Sequence, residues 1–126
     1  MTETVRLRTR RCVAGVTAFT MFWSSVLPAQ TLILPDGNTA TQVGASGPVT
    51  QVTTATVRGE NAFNSFSRFS VGTGDTVNLH LPTGTRNLLN LVHDERTQID
   101  GVLNSIRNGG IGGNVYLANP HGIVVG

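Results

Sequence analysis

The segment 119–126 contains the feature that most constrains the fold. Before it, residues 114–117 alternate polar and apolar side chains, which predicts a short strand with one buried face. Asn119-Pro120 ends that strand, because proline has no amide hydrogen to donate to a sheet. Gly122 permits a turn, and residues 123–125 begin a second apolar strand at once. A strand, a tight corner and another strand within about a dozen residues favour a solenoid that turns sharply between short sheets.

Residues 1–29 have the composition of a secretory leader. Four arginines lie between Arg6 and Arg11, residues 12–23 carry no charge, and Ala29 precedes a plausible cleavage point before Gln30. The uncharged run is about a dozen residues long, whereas a membrane-spanning helix needs roughly 20. The sequence therefore predicts a signal peptide at 1–29 and a mature, exported chain at 30–126.

Removal of that leader changes the charge of the chain. The whole sequence has nine arginines, no lysine and seven acidic residues, which gives a net charge of +2. Four arginines and Glu3 belong to the leader, so the remainder has five arginines and six acidic residues, with a net charge of −1. This balance argues against a basic nucleic-acid-binding module, and no nucleic-acid partner is expected. The single cysteine, Cys12, also lies in the leader, so the mature chain must be stabilised by packing and hydrogen bonds.

Short apolar blocks separated by turns run through the mature chain, which predicts an all-β fold. Strands are predicted at 31–34, 76–81, 114–117 and 123–125, and further β-branched or apolar blocks lie at 49–57, 87–92 and 99–103. The segment 39–48 is small and polar, so we expect a loop there. In 76–81 the alternation is clean, with Val77, Leu79 and Leu81 on one face.

The segment 61–71 has an unusual spacing of aromatic residues. Phe63, Phe66 and Phe69 recur every third residue, which permits a helical turn, but the intervening asparagine and serine residues weaken that interpretation. We expect an irregular segment or tight strands whose rings fill one end of a core.

From Val77 onward the apolar blocks recur every 10 to 14 residues or so. Two blocks per coil would give about 22 residues per rung, which suits a parallel β-helix. An antiparallel sandwich would show a similar spacing of strands and turns, so both architectures remain open from periodicity alone.

Four segments together resemble the haemagglutination-activity domain of filamentous haemagglutinin-type exoproteins, which is an N-terminal two-partner secretion domain. They are Leu34-Pro35-Asp36-Gly37, 61–71, Gln98-Ile99-Asp100-Gly101 and 114–126. The last contains Asn119-Pro120-His121-Gly122-Ile123, which is similar to the family's Asn-Pro-Asn-Gly-Ile box with His121 in place of the third residue. For the family's second, upstream asparagine–proline box the candidate residues are Asn87, Leu88, Asn90 and Leu91.

The resemblance implies a right-handed parallel β-helix with N-terminal capping strands. It also implies a partner, an outer-membrane β-barrel transporter that recognises the domain and exports a large adhesin or toxin behind it. Because the family's domains are longer, we expect 30–126 to be a partial domain, truncated at its C-terminal end. The location would be secreted or at the cell surface, and any contact with host cells or glycans would be made by the missing passenger. For Asn119, Pro120 and Gly122 a structural turn and a transporter contact both remain open.

No catalytic or metal-binding pattern is evident in the sequence. His80, His93 and His121 lack the short spacings that zinc sites usually show. Ser46 is not in a nucleophile elbow, because Pro48 takes the place of the last glycine of that motif. We therefore expect a non-enzymatic protein without a cofactor or a small-molecule substrate. The alternative is an autonomous secreted all-β surface or glycan-binding module, and a more distant one is a polysaccharide lyase or hydrolase on a β-helix.

Overall fold

The computed structural model describes residues 30–126, and their regular secondary structure consists of strands alone. The strands are β1 (Leu32–Pro35), β2 (Thr41–Ser46), β3 (Val49–Thr54), β4 (Val57–Arg58), β5 (Asn61–Ser70), β6 (Thr76–His80), β7 (Asn87–Val92), β8 (Thr97–Ile99), β9 (Val102–Arg107), β10 (Gly110–Ile111), β11 (Asn114–Ala118) and β12 (Ile123–Val125). The all-β prediction is therefore confirmed. Within 30–126 no helix has the length and apolarity to span a membrane. The predicted signal peptide lies outside the described residues.

Parallel pairing with a nearly constant offset organises the sheets. In the first sheet β5, β7 and β11 are parallel neighbours, in the second β3, β6 and β9 are, and β12 pairs with β8 in a third. Asn61, Asn87 and Asn114 are aligned in the first sheet, at offsets of 26 and 27 residues. The expected rung of about 22 residues is therefore wrong, because a repeat such as β7, β8 and β9 contains three strands rather than two. Parallel inner pairs are also not what an antiparallel sandwich predicts.

An antiparallel strand lies at one edge of each large sheet, beside the first of its parallel strands. β1 pairs with β5, and β2 pairs with β3 through a hairpin at Gly47-Pro48. The prediction of a loop at 39–48 is therefore wrong for residues 41–46, which form β2. β2 pairs residue by residue with β3, although four of its six residues are exposed. Backbone hydrogen bonds rather than the burial of apolar side chains therefore hold this strand in the sheet. A second hairpin, formed by β9 and β10, lies at the opposite edge of the second sheet.

β5 is one continuous strand of ten residues, so of the two structures expected at 61–71 the irregular segment is wrong and a strand with rings in the core is observed. Its register against β1 shifts between Leu34 and Pro35, which marks a β-bulge. The shift moves the buried face by one residue, and Phe66 and Phe69 therefore both point into the core despite their odd spacing. Their ring centroids are 5.1 Å apart in an edge-to-face arrangement. Phe63 is only half-buried.

The core is formed mainly by the inward residues of both large sheets, with Ile99 of β8 contributed by the third sheet. Its buried apolar members are Ile33, Val52, Ala62, Phe66, Phe69, Val71, Val77, Leu79, Leu81, Leu88, Val92 and Ile99. Val77, Leu79 and Leu81 are buried while Asn78 and His80 are half-buried, which confirms the alternation predicted for this strand. Val115 and Leu117 of β11 extend the core but are only partly buried.

Asparagine side chains are stacked at matching positions of successive repeats. Asn87 donates to Asn61 at 2.9 Å, and Asn114 donates to Asn87 at 3.0 Å. A second pair, Asn64 and Asn90, is buried inside the molecule, with a distance of 2.9 Å between the amide nitrogen of Asn64 and the amide oxygen of Asn90. Because a buried amide must find hydrogen-bond partners, a shift of one residue between repeats would leave these groups unpaired. The ladders therefore fix the register of the parallel strands.

Gly101, in the turn between β8 and β9, has no room for a side chain. A Cβ atom there would collide with the backbone oxygens of Gly72 and Asp75 and lie 2.9 Å from the Val71 side chain. We expect Gly101→Ala to lower the free energy of unfolding by about 2–4 kcal/mol, because the backbone of the preceding repeat has to move. Urea denaturation of residues 30–126 measures this change.

Gly44→Ala is the matched control, because a Cβ atom at this position in β2 meets nothing within 4 Å. We expect it to change the free energy of unfolding by less than about 0.5 kcal/mol. Equal unfolding midpoints for the two variants would contradict the close approach at Gly101.

Candidate functional site

Residues 119–122 form a tight corner between β11 and β12. The side-chain oxygen of Asn119 accepts a hydrogen bond from the backbone amide of His121 at 2.8 Å. The backbone oxygen of Asn119 accepts a second one from the amide of Gly122 at 3.1 Å. Gly122 has φ of 105°, a conformation that glycine adopts without strain. The predicted strand–corner–strand arrangement is thus confirmed, and asparagine and glycine each have a defined part in it.

The same corner is bound to the corner of the preceding repeat. The side-chain nitrogen of Asn119, Nδ2, donates to the backbone oxygen of Glu95 at 2.6 Å and to the hydroxyl of Thr97 at 2.9 Å. Thr97 is completely buried, and its backbone amide donates to Gly122 at 3.0 Å. Both hydrogens of the Asn119 amide and its oxygen therefore have partners inside the chain. These contacts give Asn119 a structural role in the folded protein.

His121 stands where the family's box has asparagine, and it also reaches the preceding corner. Its Nε2 atom lies 2.8 Å from the backbone oxygen of His93. Because a carbonyl oxygen only accepts, Nε2 of His121 must carry the hydrogen. Pro120, His121, Gly122 and Ile123 are all exposed, so this part of the corner is accessible to a partner.

The upstream candidates lie in a strand rather than in a corner. Asn87 and Asn90 belong to the stacked asparagines of β7, and Leu88 is completely buried. Leu91 is 41% exposed and lies opposite Ala118, beside the strand that leads into the corner. The pairing of β7 with β11 thus places these residues beside β11, the strand that precedes the corner.

Sequence reasoning missed a polar cluster formed by Asp36, Ser65 and His93. The Ser65 hydroxyl donates to Asp36 at 2.5 Å and lies 3.0 Å from Nε2 of His93, which in turn is 3.5 Å from the Asp36 carboxylate. Burial raises the pKa of Asp36, but hydrogen bonds from Ser65 and Asn38 and the attraction of His93 outweigh that effect. The pKa of Asp36 therefore lies below its ordinary value of 3.8. Ser65 and His93 meet through the parallel pairing of β5 with β7, and Asp36 meets Ser65 through the antiparallel pairing of β1 with β5. Neither pairing is evident from the residues next to the three side chains.

The cluster borders an open cavity of about 670 Å³. Val57, Phe63 and Leu91 supply apolar lining, and Arg58 contributes a cation. The three polar side chains do not have the order of a hydrolytic triad. In a triad the carboxylate contacts the imidazole nitrogen remote from the serine, whereas here the serine donates to the carboxylate directly. The arrangement holds Ser65 in place and does not activate it.

The other histidines are separated by the fold. His80 lies 2.5 Å from the side-chain oxygen of Gln51 on the second sheet. His121 contacts the backbone of His93 and not its ring. Among residues 30–126 no group of three histidine, cysteine or acidic side chains is placed to hold a metal ion.

Replacing Asn119 tests its structural role. Asn119→Asp keeps the acceptor for the His121 amide but removes the donor to Glu95 and Thr97. We expect a loss of about 1–3 kcal/mol in the free energy of unfolding, because these acceptors lose a partner. His121→Asn is the control in the same corner and should cost less than about 1 kcal/mol, since it removes one hydrogen bond at an exposed site. A larger loss for His121→Asn than for Asn119→Asp in urea denaturation would refute this role.

Asn90 and Asn104 offer a comparison of stacked asparagines. Asn90 is 1% exposed, and it pairs with Asn64 and with the backbone oxygen of Tyr116. We expect Asn90→Ala to cost about 3 kcal/mol, because it leaves buried groups unpaired and a cavity behind. Asn104 is half-buried and donates to Asn78 alone, so Asn104→Ala should cost about 1 kcal/mol. Thermal unfolding followed by circular dichroism can rank the two, and the reverse order would contradict the structure.

Comparison with known proteins identifies the family. The family model of the TPS (two-partner secretion) secretion domain matches residues 28–126, which is most of the chain. A search of curated proteins found no match, and a search of solved structures found none. The match covers the corner, the stacked asparagines and the polar cluster alike. The chain belongs to the TPS secretion domain family and is thus a two-partner secretion substrate that is exported from the cell.

Proposed function

We propose that this chain is the N-terminal secretion domain of a filamentous haemagglutinin-like adhesin or toxin. A partner β-barrel transporter in the outer membrane recognises the domain, and the domain nucleates β-helix folding outside the cell. The observation that carries the proposal is the family match over 28–126. The activity of the adhesin or toxin resides in a passenger, through which contacts with host surfaces or glycans are made.

The proposed architecture is a right-handed parallel β-helix with N-terminal capping strands. Its support is the recurrence of parallel partners at offsets of 26 and 27 residues, together with amides stacked at the same offsets. A repeat such as β7, β8 and β9 gives one strand to each of the three sheets, as expected for a coil with three faces. The antiparallel strands β1 and β2 cover the N-terminal edges of β5 and β3 and are suited to capping.

We assign the corner two successive roles. While the chain crosses the periplasm unfolded, Asn119 has no fixed partners, and residues 119–123 are available to the transporter. When the repeat forms outside, the Asn119 amide bonds to Glu95 and Thr97, which closes the corner. The residues exposed in the folded corner, Pro120, His121 and Ile123, are the ones a transporter could still contact after folding.

Folding provides the direction of transport in this mechanism. Each added repeat buries apolar side chains such as Leu88 and Val92, which are almost fully excluded from solvent. Burial is worth roughly 25 cal/mol per Å² of apolar surface, so every completed repeat opposes movement back through the transporter. This role requires neither a catalytic residue nor a cofactor, and we propose that the domain is not an enzyme.

An autonomous surface or glycan-binding module is the second candidate. The cavity of about 670 Å³ favours it, because Phe63 offers an apolar wall and Arg58 a polar one. Such a module would fold in the periplasm and would not depend on a transporter for its stability.

Export distinguishes the two candidates. Residues 1–126 with a C-terminal epitope tag are expressed in cells with and without the partner transporter, and the tag is measured in medium and periplasm. We expect the tag in the medium only when the transporter is present. Asn119→Ala should reduce that amount severalfold, because the variant loses the donor that closes the corner.

Gly44→Ala controls for a nonspecific effect of substitution, since it lies away from the corner in β2 and has free space for the added methyl group. It should be exported like the unaltered chain. Folded, tagged protein that accumulates in the periplasm and reaches the medium equally without the transporter would refute the secretion-domain proposal and favour the autonomous module.

A further inference from the structure

The loop between β1 and β2, residues 36–40, is fastened to β5 through a single residue, Ser65. The backbone oxygen of Ser65 accepts from the amide of Asp36 at 3.2 Å, and its amide donates to the hydroxyl of Thr39 at 2.9 Å. Its own hydroxyl donates to the carboxylate of Asp36 at 2.5 Å. Ser65 is only 4% exposed, so these bonds are shielded from water. Asp36 and Thr39 therefore both bind the same residue of β5, while Ala40 at the end of the loop is held separately by hydrogen bonds with Ala55 and Thr56.

His93 adds the following repeat to this attachment. Ser65 gives its one hydroxyl hydrogen to Asp36, so it must accept a hydrogen from Nε2 of His93 at 3.0 Å. Nε2 also lies 3.5 Å from the Asp36 carboxylate. The backbone amide of His93 donates to Phe66, which sets the position of the ring relative to β5. The cluster can thus form completely only after β5 and the end of β7 have been placed side by side.

We propose that Asp36, Ser65 and His93 form an acid-sensitive latch, which fastens the loop 36–40 to two successive repeats while Asp36 is negatively charged. The charge matters because Asp36 accepts from the Ser65 hydroxyl and from the Asn38 amide, the latter at 2.9 Å. A protonated carboxyl group has lost part of this accepting capacity and its attraction for His93. Release of the loop widens the cavity beside it, because Asn38 and Thr39 line one of its sides.

Several other charged side chains lie near the cluster. Arg58 of β4 lines the same cavity, and Arg68 of β5 is engaged with Glu95 at 2.9 Å. The corner that bears His93 also carries Asp94 and Arg96, and the next corner carries His121. Of the ion pairs among residues 30–126, the one that includes Asp36 is with His93.

The direction of the pH dependence follows from Asp36. Hydrogen bonds and His93 outweigh burial and hold its pKa in the folded protein below the ordinary value of 3.8. A lowered pKa means that the carboxylate stabilises the folded state at pH values above 3.8, and that this contribution is lost as the pH falls through the folded value. The latch is therefore closed at neutral pH and opens in acid.

Hydrogen exchange of the backbone amides tests the latch directly. The amides of Asp36 and Ser65 report on it, because one donates to Ser65 and the other to Thr39. In residues 30–126 we expect their protection factors to fall severalfold as the pH is lowered from about 5 to below 3.8, whereas amides of β7 in the middle of the first sheet keep theirs. Asp36→Asn should show the lower protection already at neutral pH and no further fall over that interval.

Asp94→Asn is the matched control, since it removes an exposed carboxylate next to His93 and leaves the cluster intact. Protection of Asp36 and Ser65 in this variant should follow the unaltered chain within about twofold. If Asp36→Asn keeps the protection and the pH dependence of the unaltered chain, the latch proposal is wrong. Should Asp36→Asn fail to fold, His93→Gln decides. Lower protection of Asp36 and Ser65 with unchanged β7 supports the latch, and unchanged protection overturns it.

Discussion

The whole structure depends on parallel strands that repeat in one register. Backbone pairing alone would tolerate a slip between repeats, and the stacked asparagines do not, because a displaced amide would lose its partner. Asn64 and Asn90 are the strongest case, since both are almost completely buried and Asn64 donates to Asn90, which in turn donates to the backbone oxygen of Tyr116 in the next repeat. The register then places Ser65 beside His93 and Asn119 beside Thr97. The contact of the corner with the preceding repeat and the contact of His93 with Ser65 are both consequences of the parallel register, whereas Asp36 reaches Ser65 through the antiparallel pairing of β1 with β5.

The sequence predicted the parts of the fold in which side chains alternate cleanly. Strands β6, β7 and β11 and the corner at Asn119 lie where their patterns indicated. It failed at β2, whose side chains are small and polar because backbone pairing rather than burial holds that strand. At β5 it left an irregular segment and strands both open, because a bulge hides the alternation around Phe66. A bulge depends on the neighbouring strand, and a single strand's sequence contains no signal for it.

The candidate site was predictable only in part. Asn119 and Gly122 belong to a local turn, so their roles could be inferred from adjacent residues. The contacts of Asn119 with Glu95 and Thr97 join residues 24 and 22 positions apart. Such contacts join residues of two different repeats, so they cannot be inferred from the residues next to Asn119. The contact of Asp36 with Ser65 was not predicted either, because it depends on the antiparallel register of β1 against β5.

The hairpin of β9 and β10 covers one part of the outer edge of β9 in the second sheet and leaves the other part uncovered. β10 occupies the side of β9 opposite β6, where Gly110 and Ile111 pair with Arg107 and Ile106. The backbone oxygen of Ser105 accepts from the amide of Gly112 on the same side, at 3.0 Å. A strand added beside β9 would therefore find free backbone groups only over residues 102–104 and would have to bend away beyond them. The side chain of Ile111, which is 76% exposed, projects into solvent at that point of the edge. Lateral growth of this sheet is therefore possible over one short stretch, and a long flat strand from another molecule cannot align with the full edge.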